Sequence, residues 1–425
     1  MAATRSLLGL AVFTALLIAV PASPAAARED RGEQRRGAEA APKNFPDATR
    51  EEPRLRSSPR LQRQLSRLVE TYNEGDAARA RELADAILAN ERANAYEISF
   101  AAQVAASAAS DQDDLEAAKA YMKRVIETGG LNNEGHFNTM QNLAIAQLNS
   151  DQPEAAVLTL LRLINETQTR DPVIHHALGS AHFRAEQFPE AVAAIRKAIS
   201  LLPEPRVEWL RLLQAAHVET GDLQAALDVG KQVLAKTPDD KQAIFALASN
   251  HIDLERYDDA IKLLEDARTR GLFTEARDYR MLYSLYFNAE GRERDVIAVI
   301  EEGFAKGVLP RDLQSLSALA QAAYFSDDME RAIATYREAA ALDPRGETGL
   351  NYAKVLSAEG RDEEARAAAR AAIAKGLQRP GEAWMVIARA ESQIGTTAST
   401  RAALQEAARF PETAEQANRM LRQNR

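Results

Sequence analysis

An all-α architecture built as a tandem of helix pairs is what this 425-residue chain predicts. Three observations carry that expectation. From about residue 60 the apolar residues recur at spacings of three and four, the period of one face of a helix. That pattern itself returns at a nearly fixed interval, the mark of a repeat architecture. Glycines and prolines punctuate it where paired helices must turn and stop.

The first 27 residues stand outside the fold. Arg5 supplies a short positive region, Leu7 to Val20 is a nearly unbroken apolar run, and Ala25-Ala26-Ala27 offers a cleavage site. This is the layout of a secretory signal peptide. Its 14 apolar positions fall short of the roughly 20 that a spanning helix needs. A cleaved leader makes the mature chain secreted, with no stable membrane insertion, and the Ala-rich, Arg-rich composition beside it suggests the periplasm of a Gram-negative bacterium. Residues 28–59 are rich in Arg, Glu, Pro and Ala, with few sizeable apolar residues beside Phe45. Such a stretch cannot offset its ordering entropy by burial, so it reads as a disordered linker.

The clearest helix pair runs from Asp171 to Pro203. Asp171 can cap a helix that opens on Pro172, and Ile174, Leu178, Ala181 and Ala185 line one face of it. After a turn at Glu186-Gln187, Pro189 opens a second helix with Ala191, Ile195, Ala198 and Leu202 inward. Two helices with one apolar stripe each need a neighbour, and the next unit supplies it. The small residue at the start of the second helix recurs as Ala191, Ala226 and Ala260, at intervals of 35 and 34 residues. The 72 residues from Ala260 to Ala332 hold two further periods, with Val296 in the middle slot, and Ala365 follows. Pro203, Pro238 and Pro344 close second helices, and Gly221, Gly291, Gly360 and Gly395 mark turns within pairs. Looser pairs fill 60–169, with Gly75 in a turn and Pro153 opening a helix; the clearer ones fill 170–411. Residues 412–425 read as a polar capping helix and tail, which the end of a stack requires.

These units resemble the tetratricopeptide repeat. The best match is His175-x2-Leu178-Gly179-x2-His182, followed by Ala191, Ile195, Ala198 and Pro203; the last full unit has Trp384-x2-Ile387-Ala388. Departures are frequent, since His, Leu or Ile often fills an aromatic slot. The resemblance covers about 60–411 and implies a right-handed superhelical α-solenoid of about ten helix pairs. It also implies a concave groove lined by the first helices, where a protein or peptide ligand binds. By helical phase the groove-facing residues are His176, Phe183, Arg184, Arg211, Val218, Phe245, Ile252, Met281, Leu285, Asn288, Gln321, Tyr324 and Phe325. Aromatic, Met and Arg groups are the types that dominate interface energetics. Phe183 and Phe325 are the two most apt to complete the interhelical core instead.

Several chemistries are excluded or demoted. No cysteine is present, which removes disulfides, thiolate metal sites and a cysteine nucleophile. The formal charge is −9, and removing Arg5 with the leader makes it −10. Lys and Arg read as scattered, without the basic stripe that nucleic-acid binding leaves. His182, His217 and His251 occupy equivalent positions in successive repeats. Stacked helices lie about 8–10 Å apart, too far for these three to meet on one metal ion, so they read as packing residues. Asp111, Asp113 and Asp114 lack the glycine and closing glutamate of a calcium loop. No phosphate loop or hydrolase motif appears. The expectation is a protein that is no enzyme and carries no cofactor or metal.

The breaks Thr128-Gly129-Gly130-Leu131, Arg270-Gly271-Leu272, Lys306-Gly307-Val308 and Lys375-Gly376-Leu377 go beyond the generic repeat. They resemble the periplasmic repeat proteins that accompany TonB, ExbB and ExbD. That resemblance implies a scaffold accessory to a TonB-type outer-membrane transport system, with TonB-system components as partners. The alternative is a periplasmic chaperone or envelope-assembly factor that binds many clients.

Overall fold

The computed structural model describes residues 45–423, so the leader expected over 1–27 and the stretch 28–44 lie outside the described residues. Among the described residues there are 21 helices and no strand. The chain divides into two compact units, one ending at Lys236 and one beginning at Thr237.

The first unit holds five pairs: α1 (Pro59–Asn73) with α2 (Ala77–Leu88), α3 (Ala95–Asp111) with α4 (Leu115–Thr128), α5 (Asn133–Asn149) with α6 (Pro153–Thr167), α7 (Pro172–Arg184) with α8 (Phe188–Ser200), and α9 (Val207–Glu219) with α10 (Leu223–Lys236). The second unit holds α11 (Lys241–Asp253) with α12 (Tyr257–Thr269), α13 (Ala276–Phe287) with α14 (Glu293–Ala305), α15 (Leu313–Phe325) with α16 (Met329–Leu342), α17 (Glu347–Ala358) with α18 (Asp362–Ala374), and α19 (Pro380–Ile394) with α20 (Thr397–Ala407). A final helix, α21 (Pro411–Gln423), packs on α19 and α20. Within each unit every helix packs on its successor. The fold is an α-solenoid of helix pairs, with pair boundaries within a few residues of those expected. The capping helix starts at Pro411, one residue before the expected 412, because proline suits a first helical position. The boundary drawn at 169/170 between looser and clearer repeats marks no break, since α6 packs on α7 across it.

Local chemistry explains why the helices start and stop there. Asp171 accepts from the Val173 amide at 2.8 Å and caps α7. Asp114, Asp240 and Asp328 cap α4, α11 and α16 in the same way. Between the helices of a pair the chain passes through left-handed backbone at Gly75, Asp113, Asp151, Glu186, Gly221, Glu255, Gly291, Asp327 and Gly360. These nine residues occupy the same turn of successive pairs. Gly395 is the exception, with φ of −107°, because α20 opens on a Thr396–Ser399 capping box.

The core is the sum of the inward stripes. Leu65, Leu68, Ile87, Phe100, Val104 and Val125 form one cluster, and Phe137, Met140, Leu160, Leu163, Ile174 and Leu178 contribute to another. Each fully buried Leu, Ile or Phe stabilises the fold by about 1.5–3 kcal/mol. Helix α3 is buried on several faces, and its run of Ala101, Ala102, Ala105, Ala108 and Ala109 lets its neighbours come close.

The linker expected over 28–59 needs correction from residue 45 on. Phe45 is buried edge-on against Phe137, with ring centroids 5.3 Å apart. The Thr49 amide donates to the Glu166 carbonyl at 2.9 Å. Arg50 donates to the carbonyls of Gly129 and Leu131 and to Asn133 Oδ1. At the far end the buried Glu97 carboxylate accepts from the Ser58 amide and hydroxyl, both at 2.6 Å. One aromatic anchor and a row of hydrogen bonds to the first turn of α3, the loop into α5 and the last turn of α6 hold the segment as a strap. Composition averages over a window and misses such anchors.

Candidate partner-binding face

Six of the first helices, α5, α7, α9, α11, α13 and α15, share one register. Their inward stripe ends on a buried residue: Gln147, His182, His217, His251, Tyr286 and Ala323 in α5 to α15. The next residue is rotated by about 100° and leaves the core. It is Leu148, Phe183, Val218, Ile252, Phe287 or Tyr324, apolar or aromatic each time and each time half-buried or exposed. An apolar residue held on the wet side in every one of these helices is what a binding face offers.

In the first unit His176 stacks on Trp209, with centroids 4.5 Å apart and planes 10° apart, and Arg206 lies 4.9 Å over the same indole. Burial, helped by the Arg206 charge, lowers the His176 pKa to about 4. Phe183 is half-buried against Phe188 of its own pair, 5.5 Å between centroids, so it does contribute to interhelical packing. Arg184 reaches back to Asp151 in the preceding turn at 3.1 Å. Arg211 is half-buried, and Val218 is 36% exposed.

In the second unit Phe245 lies 5.8 Å from Phe273 with Lys241 over its ring, and Ile252 and Met281 are half-buried. Gln321 is exposed, and Asn288 is the exposed C-cap of α13. Tyr324 and Phe325 touch edge-on at 5.4 Å and are 37% and 62% exposed. Phe325, expected among the core-completing residues, is the most exposed aromatic of the face. Leu285, expected to face the groove, is 4% exposed and belongs to the core. The reason is a phase slip of one residue in α13, whose buried stripe is Tyr279, Leu282, Tyr283 and Tyr286. The corrected register brings Arg280, Ser284 and Phe287 to the positions assigned to Met281, Leu285 and Asn288. Arg280 pairs with Asp312, the cap of α15. Placing Tyr286 in the slot that His182, His217 and His251 fill would have revealed this phase. Leu148 and Phe287 were likewise missed, as was the buried Trp209 on which His176 stacks.

The three histidines are buried between helices. His182 Nδ1 is 2.7 Å from Gln187 Oε1, His217 Nε2 is 3.1 Å from Arg196, and His251 Nδ1 is 3.7 Å from Asp259. Burial and the Arg196 charge lower the His217 pKa. The His182 and His251 rings thus face their own second helices, whereas His217 lies between Arg196 of the preceding α8 and Asp222 before α10; all three sit as packing residues do. Asp113 and Asp114 shape and cap the turn into α4.

Tetratricopeptide-repeat family models match residues 176–241, 217–279 and 313–345. No curated protein matches the chain in sequence. Among solved structures it is similar to a tetratricopeptide repeat protein from Parabacteroides merdae, at 15% identity and TM-score 0.39, over 57% of this chain and 93% of that one. The C-terminal part of a repeat-containing protein from Cytophaga hutchinsonii matches at 14% identity and TM-score 0.38, over 66% and 95% of the two chains. A structure of Naa15/Naa10 bound to HypK-THB matches at 16% identity and TM-score 0.45, and the match covers 85% of this chain but 60% of that one. These likenesses concern the fold alone. With the family matches falling on the helix pairs α7 to α12 and α15 to α16, the chain carries tetratricopeptide repeats.

Proposed function

We propose that the protein is a non-catalytic scaffold whose first-helix faces bind a polypeptide partner in the bacterial periplasm, in support of a TonB-type outer-membrane transport system. Tetratricopeptide repeats are protein-interaction modules, and that coarser role follows from the repeats themselves. The observation that carries the binding face of each unit is the recurring apolar position, Leu148, Phe183 and Val218 in the first and Ile252, Phe287 and Tyr324 in the second, which stays at least partly exposed in each helix that has it. The envelope setting rests on the leader-like N-terminus and on the glycine breaks. Gly129, Gly271, Gly307 and Gly376 all close second helices with left-handed backbone.

The test is crosslinking of the intact protein in its native envelope, followed by identification of what co-purifies. One dominant TonB-system component is expected. Tyr324→Ala with Phe325→Ala should then weaken the link by about 1–4 kcal/mol and leave the melting temperature unchanged. A broad set of denatured or outer-membrane clients would instead establish the chaperone role. Cytoplasmic partners alone would overturn the setting.

A further inference from the structure

Arginine charge is unevenly placed, against the scattered distribution expected from the sequence. In much of the molecule arginines meet carboxylates, as in Arg81–Asp114, Arg162–Glu166, Arg311–Glu338 and Arg331–Glu301. Arg54, Arg56, Arg60, Arg63 and Arg67 differ: all five are exposed, and no acidic residue lies between Glu52 and Glu70. None of the five has an ion-pair partner among the described residues.

The phase of α1 fixes where three of them point. Leu61, Leu65 and Leu68 are buried beneath α1, and the 60, 63, 67 spacing sets three guanidiniums along its opposite side. Arg63 and Arg67 share a shallow groove with Pro59, Gln62, Ser66 and Glu70. Just before the helix Leu55 is 44% exposed, flanked by Arg54 and Arg56. The helix is about 22 Å long by its rise per residue, so Arg60, Arg63 and Arg67 form an elongated positive face, with the exposed Arg54 and Arg56 just before it in the chain. It offers no deep apolar pocket such as a peptide anchor side chain needs. A long, open arginine face beside one exposed leucine fits a flat polyanion with an apolar layer beneath it.

We propose that this face of the first unit binds the headgroup plane of an anionic phospholipid bilayer, with Leu55 dipping below the phosphates and the five guanidiniums pairing with them. The contact is peripheral, is separate from the polypeptide-binding face, and does not depend on that assignment. It would hold one end of the first unit at a membrane surface while the binding-face residues of α5, α7 and α9 stay accessible.

The test is co-sedimentation of the full chain with phosphatidylcholine vesicles, with and without phosphatidylglycerol. The readout is the increase in binding that the anionic lipid brings. An increase is expected that fades with added salt as the screening length shortens. The combined Arg60→Gln, Arg63→Gln and Arg67→Gln variant should reduce it by roughly fivefold per arginine, about 100-fold in total. A control with Arg401→Gln, Arg419→Gln and Arg422→Gln should keep it, and circular dichroism should show both variants melting with the parent. Absence of the increase in the parent, its survival in the first variant, or its equal loss in the control would overturn the proposal. Tighter binding of soluble polyglutamate than of the anionic vesicles would also overturn it, in favour of an acidic polypeptide partner.

Discussion

Leu178 and Val218 are both apolar residues on first helices, yet they have opposite duties. Leu178 is buried between helices, whereas Val218 stays partly in water. Leu178→Ala should therefore cost about 2–5 kcal/mol, and Val218→Ala less than about 0.5 kcal/mol. Urea denaturation of both variants checks the register, and equal costs would refute it. A second contrast concerns titration. His136 is buried under the strap with both ring nitrogens unpartnered, and Arg50, Arg162 and Glu166 are the charges that act on it. Burial, reinforced by the Arg50 charge, lowers its pKa to about 4. The unfolded chain binds a proton below about pH 6.5 and the folded chain does not. Its contribution is thus full above that pH and is lost as the pH falls from about 6.5 to 4, on the order of 3 kcal/mol. His136→Phe should flatten this slope in denaturation curves taken at pH 7.5 and 5; an unchanged slope would show that other groups are responsible. Residues in period with the core, such as Leu178, were legible in the sequence. The burial of His136 was not, because the segment that covers it is distant in the chain.

Helices announce themselves by period and caps, and so each pair was legible down to its turn glycines. The equivalent turns that use Asp113, Asp151, Glu186, Glu255 and Asp327 were harder to read, because left-handed backbone is uncommon outside glycine. In α13 the stripe of three tyrosines and a leucine left two phases open, and the wrong one put Leu285 on the binding face. The strap is the element that composition hid. Phe45→Ala should release it, so trypsin should cut at Arg54 and Arg56 faster than in the parent, while the far-ultraviolet helical signal remains. An unchanged cleavage rate would mean that the hydrogen bonds of Thr49 and Arg50 hold the strap unaided.

At the scale of the whole molecule, the number of helix pairs followed from the repeat interval, whereas the division between Lys236 and Thr237 did not. The interval runs through it undisturbed, from Ala191 to Ala226 to Ala260. Which face binds was legible in outline, since exposed apolar side chains recur in phase with the core. Its partner was not, because neither period nor caps encode what a surface meets.

A solenoid is ordinarily a chain of nearest-neighbour contacts, and the strap breaks that rule in the first unit. Thr49 bonds to Glu166 across a separation of 117 residues. During synthesis the strap emerges before any helix, yet its last docking site is made only when α6 has folded. Phe45 has Phe137 to meet only once α5 is in place, and Ser58 has Glu97 only once α3 is. The strap therefore closes late over repeats already built, so that a nascent chain halted before α6 would keep this segment open to proteases and chaperones.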